Sequence, residues 1–285
     1  MSLASHLLKH LIITKYCGVS WSESTISRHE NGKPCFMPSP DQSVQNHVEF
    51  NVSHQAGIVS LIAVIGTKDV NVGTDIVCAN ERIQQDYKYI EKDGFFDWVH
   101  IHGDVFAESE ISFMKLGPVE LPELEMKGYG KDATSRCQWR NRTLEITVGE
   151  EEQQVKVQME SNLVIDAKLR RFYAMWCLRE AYVKMTGEAL LAPWLKDLEI
   201  SAVRVPAAKV GLDTDLLEEG EVVEDFSIRF KGRPVTNVEM ELSALGSDYI
   251  IGGAVRGAKE LGLKMGKWKE LDLEADILAF GAPMS

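Results

Sequence analysis

The stretch Trp176–Gly187, WCLREAYVKMTG, decides how this chain is interpreted, because it places Glu180 and Lys184 one turn apart inside a largely apolar segment. At about 100° per residue, apolar residues fall on two opposite sides of a helix here, and Glu180 and Lys184 share the strip between them. One interpretation is an ordinary surface pair, which stabilises a helix by roughly a few tenths of a kcal/mol. The other is a functional site at a seam between two packed layers.

Helical spacing extends beyond this stretch in both directions. The long helix is predicted to begin near Asp166, a suitable N-cap, and to end at Gly187, a typical C-terminal signal. Near the start of the chain, Leu residues at helical spacing predict an amphipathic helix over residues 2–16, with Ser2 or Ser5 as its N-cap.

Extended runs lie on both sides of the long helix. Residues 58–66 and 70–77, joined by TKD, predict a hairpin of mostly buried strands, and a helix is predicted over 104–115. In a polar insertion over residues 116–160, TLEITV and QVKVQM alternate and predict a surface hairpin. After the long helix, DFSIRFKGRPV and VEMELSALGSDYIIGGAVR alternate as strands. Helices and hairpins therefore alternate twice, which indicates an α+β fold of two similar halves.

Composition excludes several classes of function. A formal charge of −12 over 285 residues argues against nucleic acid as a partner, because binding phosphate backbones needs a surplus of Lys and Arg. No run reaches the roughly 18 apolar residues of a membrane span. The five cysteines form no CxxC pair, so neither a disulfide framework nor a zinc site is predicted. These features predict a cytoplasmic protein without a membrane partner.

A second acid stands where the sequence favours a dry environment. Asp75 interrupts the strand VGTDIV, and a buried carboxylate without a partner either takes up a proton or binds a cation. If Asp75 and Glu180 are both buried, their oxygen atoms suit Mg²⁺, with water and phosphate oxygens as the remaining ligands. The alternative is that Asp75 caps a turn after Gly73.

Two further segments carry groups that suit an anion. FNVSHQAG, residues 50–57, places Ser53 and His54 next to a predicted strand, and Lys33 lies on a turn between glycine and proline. Each has a plainer interpretation, because a lone histidine is usually structural and a loop lysine is usually solvated.

The four segments GKPCF, FNVSH, VGTDIV and FYAMWCLREAYVKMTGEAL occur in an order and spacing that resemble the Sfp-type 4'-phosphopantetheinyl transferases, and the chain looks like a fungal member. The resemblance covers most of residues 1–115 and 160–255, and W-x-x-[KR]-E-A-x-x-K is its most specific motif. It implies two pseudo-symmetric α/β halves, each a small antiparallel sheet packed on a long helix, with the ligand cleft between them. The implied domains are residues 1–115, the insertion 116–160 and residues 161–285.

The resemblance also implies the reaction and its residues. The phosphopantetheine arm of coenzyme A would move to a serine of an acyl or peptidyl carrier protein, releasing adenosine 3',5'-bisphosphate. Asp75 and Glu180 would bind Mg²⁺, and Lys184 would stabilise the departing oxygen. Glu180 would also take the serine proton, directly or through a bound water. The implied coenzyme A-binding residues are Ser2, Lys33, Ser53, His54, Gly73, Thr74 and Lys184.

The sequence departs from the family pattern at two places. Val77 stands where many bacterial members have a second acid, so a water molecule is expected to complete the magnesium shell. Family members usually carry several dozen residues before the first helix predicted here, so we expect a shortened front and a lower affinity for coenzyme A.

A carrier protein is the expected partner, and two rival functions stay open. The carrier is expected to dock through apolar contacts and a few local cations, with Phe106–Met114 and the insertion that follows it as the candidate segments. The chain is expected to be a monomer. One rival is a magnesium-dependent nucleotide phosphohydrolase, which would use water in place of the serine. The other is a carrier-binding module that lacks catalysis.

Overall fold

The structure is a computed structural model, and it describes residues 3–121, 126–127, 132–148, 155–188, 190, 192–209 and 217–281. Its α-helices are α1 (Leu3–Cys17), α2 (Ile83–Asp93), α3 (Phe95–His100), α4 (Glu108–Leu116), α5 (Ala133–Arg136), α6 (Ser161–Thr186) and α7 (Ala279–Gly281). Short 3-10 helices span Trp21–Glu23, Leu195–Asp197 and Lys259–Leu261, and a π-helical segment spans Leu273–Leu278. Within these ranges, no helix combines the length and the apolar composition that crossing a membrane requires.

The strands all pair antiparallel, in small sheets. They are β1 (Ile26–Arg28), β2 (Pro34–Phe36), β3 (Val48–Gln55), β4 (Ile58–Ile65), β5 (Asn71–Cys78), β6 (Glu120–Leu121), β7 (Met126–Lys127), β8 (Thr143–Val148), β9 (Val155–Glu160), β10 (Leu198–Ser201), β11 (Glu219–Val223), β12 (Ser227–Phe230), β13 (Arg233–Pro234), β14 (Val238–Leu245) and β15 (Tyr249–Arg256). The largest sheet has the order β11-β14-β15-β5, and β3 pairs with β4. The α+β class predicted from the sequence is therefore confirmed.

The predicted hairpin of residues 58–66 and 70–77 is wrong, although both runs are strands. β4 pairs with β3 in full register, from Val48 opposite Ile65 to Gln55 opposite Ile58. β5 instead pairs with β15 over its whole length, with Asp75 opposite Gly252. The central sheet thus joins strands from the two predicted halves, and the domain boundaries at 115 and 160 stay a prediction.

α6 is the central helix, and it begins earlier than predicted. It starts at Ser161, whose hydroxyl accepts a hydrogen bond from Arg142 N (2.9 Å), so Asp166 is not the N-cap. Asp166 lies one turn inside and pairs with Arg140 (2.6 Å). The helix ends as predicted, because Gly187 adopts a left-handed φ of +79° that few other residues tolerate. The helix is buried on both of its apolar sides, as its spacing predicts.

The largest core cluster lies where α6 meets the central sheet and α2–α4. α1 packs on the β3–β4 hairpin around a smaller cluster that contains Ile13 and Phe50. Ser5 lies inside α1 and is buried, so it is not an N-cap, and Ser2 lies outside the described residues. The helix predicted over 104–115 begins at Glu108.

The insertion contains the predicted surface hairpin, and it is tied to α6 by a buried lysine. β8 and β9 pair from Thr143 opposite Glu160 to Val148 opposite Val155, which confirms the hairpin. The Lys168 ammonium donates to Lys115 O, Ser135 O and Cys137 O at 2.6–2.9 Å. All five cysteines are buried with free thiols.

Candidate functional site

Two glycines let the central sheet approach α6 closely. A Cβ on Gly73 of β5 would lie 2.2 Å from Ala181 O and 2.3 Å from Met185 N, so only glycine fits there. On the neighbouring strand, a Cβ on Gly252 would lie 3.2 Å from the Cys177 Sγ. Asp75 lies two residues after Gly73 and therefore on the same face of β5. The strand thus brings the Asp75 carboxylate onto α6.

Asp75 is the centre of a small polar cluster. The residue is 5% exposed, and its Oδ1 accepts hydrogen bonds from Lys184 Nζ (2.5 Å) and Ser53 Oγ (2.8 Å). Lys184 Nζ also donates to Ser53 Oγ (2.8 Å). Burial raises the pKa of Asp75, although Lys184 and Ser53 favour the charged form. Strands β3 and β5 and helix α6 thus each supply one side chain to this cluster.

Glu180 lies one turn before Lys184 on the same strip of α6, and it is half-buried. Burial and the neighbouring Asp75 raise the pKa of its carboxyl, while Lys184 opposes the shift. Lys184 pairs with Asp75, so the interpretation of Glu180 and Lys184 as a simple surface pair is wrong. No described residue donates a hydrogen bond to the Glu180 carboxylate. The cluster therefore holds two acids and one cation, a net negative charge.

The donor set suits a hard divalent cation. Asp75 and Glu180 offer carboxylate oxygens, and a dication would balance the negative charge that Lys184 leaves uncompensated. In the described part of the chain, no group of three or more His, Cys, Asp or Glu side chains is placed to hold a metal. Val77, at the position of the missing third acid, is buried in the main core. Within the described residues, a metal at this place would thus lack a third His, Cys, Asp or Glu ligand.

Of the residues predicted to hold phosphates, Ser53 lies in the cluster and two others lie around it. Lys33 is buried, and its ammonium donates to Glu49 Oε1 (2.6 Å) and to Val72 O (3.0 Å). His54 is exposed on β3, next to Ser53, and lines a cavity between β3 and α1.

Gly73 and Thr74 are packing residues in this structure. Thr74 is fully buried, donates its hydroxyl hydrogen to Gly252 O (2.9 Å), and donates its N–H to the Asn51 side chain (3.0 Å). Gly73 contacts the α6 backbone. Ser2, the remaining candidate, lies outside the described residues.

The sequence did not predict that helices α2 and α3 form part of the surroundings of the Asp75 cluster. With α6, these helices enclose a cavity of about 330 Å³ with aromatic walls that include Trp98 and Trp176. Asp86 accepts hydrogen bonds from Tyr173 Oη (2.5 Å) and Trp98 Nε1 (3.2 Å). Tyr173 and Trp176 precede Glu180 by seven and four residues, so the cavity follows the same strip of α6. In IQQDYKYIEKD, the apolar residues Ile83, Tyr87 and Ile90 stand at the helical spacing i, i+4 and i+7. This pattern could have predicted α2 from the sequence.

Comparison with known proteins identifies the family. Residues 1–66 match a family model described as "4'-phosphopantetheinyl transferase, N-terminal". The chain is 40% identical to a 4'-phosphopantetheinyl transferase of Aureobasidium melanogenum, covering 99% of this chain and 84% of that protein. It is 36% identical to 4'-phosphopantetheinyl transferase 1 of Fusarium mangiferae, covering 100% of this chain and 79% of the other.

A third relative adds to the same conclusion. The chain is 32% identical to the 4'-phosphopantetheinyl transferase NpgA of Emericella nidulans, covering 90% of this chain and 70% of that protein. The first two similarities cover 99% and 100% of this chain, so they include nearly all of its residues. The chain therefore belongs to the 4'-phosphopantetheinyl transferase family and is an enzyme of that class.

Proposed function

We propose that this enzyme takes the 4'-phosphopantetheine arm from coenzyme A, attaches it to a serine of acyl or peptidyl carrier proteins, and requires Mg²⁺. Adenosine 3',5'-bisphosphate is the second product. The observation that carries the proposal is the cluster in which Asp75 and Glu180, more than 100 residues apart, share one cation, Lys184. A dication more than offsets the net charge of such a cluster and so allows an anionic pyrophosphate to bind beside it, whereas a purely structural role would need no second acid.

Glu180 is the proposed general base. Its carboxylate takes the proton of the carrier serine as the serine oxygen attacks the phosphorus next to the pantetheine arm. Burial and Asp75 raise the Glu180 pKa towards the operating pH, which favours proton acceptance in the transition state. The attacking oxygen forms a new bond to this phosphorus, and the bond from phosphorus to the bridging oxygen breaks.

Lys184 and the Asp75 cluster would stabilise the negative charge that develops on the departing adenosine 3',5'-bisphosphate. The Lys184 ammonium already lies among polar oxygens, and it would reach the bridging oxygen that departs with adenosine 3',5'-bisphosphate. Mg²⁺, held by Asp75 and Glu180, would neutralise charge on the pyrophosphate oxygens. Lys33, Ser53 and His54 would orient the nucleotide phosphates.

The experiment mixes the protein, Mg²⁺, coenzyme A and an apo carrier protein, and then weighs the carrier by mass spectrometry. The expected result is a gain of one phosphopantetheine group, which disappears in Glu180→Gln and Asp75→Asn. Lys15→Met is a matched control, since Lys15 is an exposed residue of α1 far along the chain from the cluster. An unmodified carrier with a well-folded wild type would overturn the proposal.

The same assay separates the rivals. A phosphohydrolase would release adenosine 3',5'-bisphosphate from coenzyme A without any carrier, and a binding module would retain carrier but release no product. Omitting Mg²⁺ tests the metal directly, because transfer is expected to stop and to return when Mg²⁺ is added back.

We also propose that the enzyme works as a monomer in the cytoplasm. One chain supplies Ser53, Asp75, Glu180 and Lys184 of the cluster, and the five free thiols suit a reducing compartment.

A further inference from the structure

Strand β3 contacts β5 through side chains and not through a backbone ladder. In the described residues, β5 is an edge strand of the central sheet, and β3 pairs through its backbone with β4 alone. Glu49, Asn51 and Ser53 occupy alternate positions of β3 and are 9%, 7% and 5% exposed. Alternate residues of a strand share one face, so these three polar side chains lie on the same side of β3.

The side chains of Asn51 and Ser53 meet β5 at two consecutive residues. Asn51 Oδ1 accepts a hydrogen bond from the N–H of Thr74 (3.0 Å), and Ser53 Oγ donates to the Asp75 carboxylate (2.8 Å). The side chain of Thr74 is bonded as well, because its hydroxyl donates to Gly252 O (2.9 Å) of the neighbouring strand. Residue 74, immediately before Asp75, is therefore held by β3 and by β15.

The bond between Thr74 and Asn51 lies in a dry place. Thr74 is 0% exposed, so water cannot easily replace an acceptor that its N–H loses. An unpaired N–H there would favour a shift of the β5 backbone towards another acceptor. One peptide unit joins Thr74 to Asp75, so the shift would also move the Asp75 carboxylate. Misplacement of a reacting group by about 1 Å can lower a rate by about 100-fold.

We infer that Asn51 is a positioning residue, whose side-chain oxygen fixes the β5 backbone so that the Asp75 carboxylate stays beside Lys184 and Glu180. This inference rests on the proposed function, because it explains how Asp75 is oriented for that reaction. Asn51 also lines a cavity between β3 and α1. A residue that bound the substrate from that cavity would act through its NH2 group and would change KM, whereas a positioning residue acts through its oxygen and changes kcat.

The first test measures transfer to the carrier by the wild type, Asn51→Leu and Asn51→Asp. Leucine has a similar size but no acceptor, so kcat is expected to fall by about 10- to 100-fold, the range for groups that orient a metal ligand. KM for coenzyme A is expected to change by less than about threefold. Asn51→Asp keeps an acceptor oxygen at the same place in both of its protonation states, so its kcat is expected to stay within about fivefold of the wild type.

Asn46→Leu is the matched control, because Asn46 is exposed and donates to Tyr16 O (2.9 Å). A wild-type kcat in folded Asn51→Leu would overturn the inference, and so would a rise in KM alone. Equal losses in Asn51→Leu and Asn51→Asp would assign the effect to the NH2 group and would also overturn it. Thermal unfolding detects a folding defect, and if Asn51→Leu does not fold, Asn51→Ala removes the same acceptor with the same expected result.

The second test needs no substrate and separates the inference from the proposed function. Hydrogen exchange measured by mass spectrometry follows the amides of residues 71–78, with residues 58–65 as the internal reference. Exchange over 71–78 is expected to accelerate by at least about tenfold in Asn51→Leu, because the Thr74 amide loses its acceptor, and to return to the wild-type rate in Asn51→Asp.

The outcomes of the two tests distinguish the inference from the transferase proposal. If exchange responds as expected but the wild type modifies no carrier, the contact of Asn51 with β5 stands and the proposed function fails. If the wild type modifies the carrier but exchange over 71–78 is unchanged in Asn51→Leu, the inference fails and the proposed function stands.

Discussion

Two neighbouring residues of α6, Arg179 and Glu180, belong to two buried charge clusters that differ in how well their charges are matched. Arg179 pairs with Glu110, and it donates to Leu195 O and Leu198 O, both at 3.0 Å. Glu110 also accepts from Ala107 N and Ile200 N. Among these side-chain groups, only the Arg179 Nε lacks a partner. One acid and one base cancel here.

The second cluster has two acids, Asp75 and Glu180, and the single base Lys184. The comparison teaches that a buried charge is not in itself a sign of function, because the Arg179 cluster joins α6 to α4 and β10 as a structural unit. Of these two clusters of α6, the one proposed to be functional carries a surplus charge without a protein partner. The following predictions test that distinction, from the largest expected effect to the smallest.

Glu180→Gln is expected to lower the rate of carrier modification by about 10²- to 10⁴-fold, the range for removal of a general base. Its stability is expected to equal or exceed that of the wild type, because the change removes a surplus buried charge. Single-turnover transfer and urea unfolding measure the two effects. A variant that is unstable, or that transfers within about tenfold of the wild-type rate, would place Glu180 in a structural role.

Arg179→Met is expected to have the opposite profile, a loss of stability of about 3–5 kcal/mol, because it leaves Glu110 buried without its cation. Urea denaturation measures the free energy of unfolding. Glu110→Leu combined with Arg179→Met is expected to recover most of the loss, since it removes both charges. If the double variant is no more stable than the single one, the two charges do not act as a pair.

Gly73→Ala tests the contact that brings the cluster together. Its new Cβ would meet the α6 backbone, so we expect a loss of about 1–3 kcal/mol in stability and a parallel loss of transfer as Asp75 moves from Lys184. Gly266→Ala is a matched control, because no atom lies within 4 Å of a Cβ placed there. Wild-type stability and transfer in Gly73→Ala would show that β5 can shift away from α6 without cost.

Glu241 offers a surplus-charge test on the face of the sheet away from α6; in the sheet register it lies opposite Gly253, which in turn lies opposite Thr74. It is 4% exposed, and burial followed by Glu219 and Glu224 raises its pKa from 4.5 to about 7. A raised acid pKa means that the folded state binds the extra proton, so stability is expected to fall as pH rises from about 4.5 to 7. Glu241→Gln is expected to remove this decline and to gain roughly 1–2 kcal/mol at pH 8. Thermal unfolding from pH 4.5 to 8 measures it, and an unchanged pH profile in the variant would contradict the assignment.

Helices and strands with a strong local pattern could be predicted from the sequence. The prediction failed where contacts between distant segments determine the structure. α1, the hairpin β8–β9 and the C-terminal strands were predicted from periodicity alone. The pairing of β5 with β15 was not predicted, because strand propensity indicates that a segment is a strand but not which other strand it pairs with. Asp166 has the chemistry of an N-cap, but the chain already turns helical at Ser161.

The candidate site shows the same limit. The spacing of Glu180 and Lys184 placed both side chains on one strip of α6, and the interrupted strand drew attention to Asp75. That Lys184 bonds Asp75 rather than Glu180 depends on the tertiary contact at Gly73, which no local pattern reveals. Lys33 was predicted to hold a phosphate from its charge, and its pairing with Glu49, 16 residues away, is another contact that no local pattern reveals.

The membership of β5 in the central sheet has a consequence for how the chain can be divided. Residues 71–78 depend on residues 249–256 for their backbone partners, so a fragment that ends at 115 would present an unpaired, largely apolar strand edge. Such an edge invites aggregation, and strand β15 would lose its neighbour as well. If the two halves are expressed as separate fragments, we therefore expect them to complement each other only when both are present while the central sheet assembles.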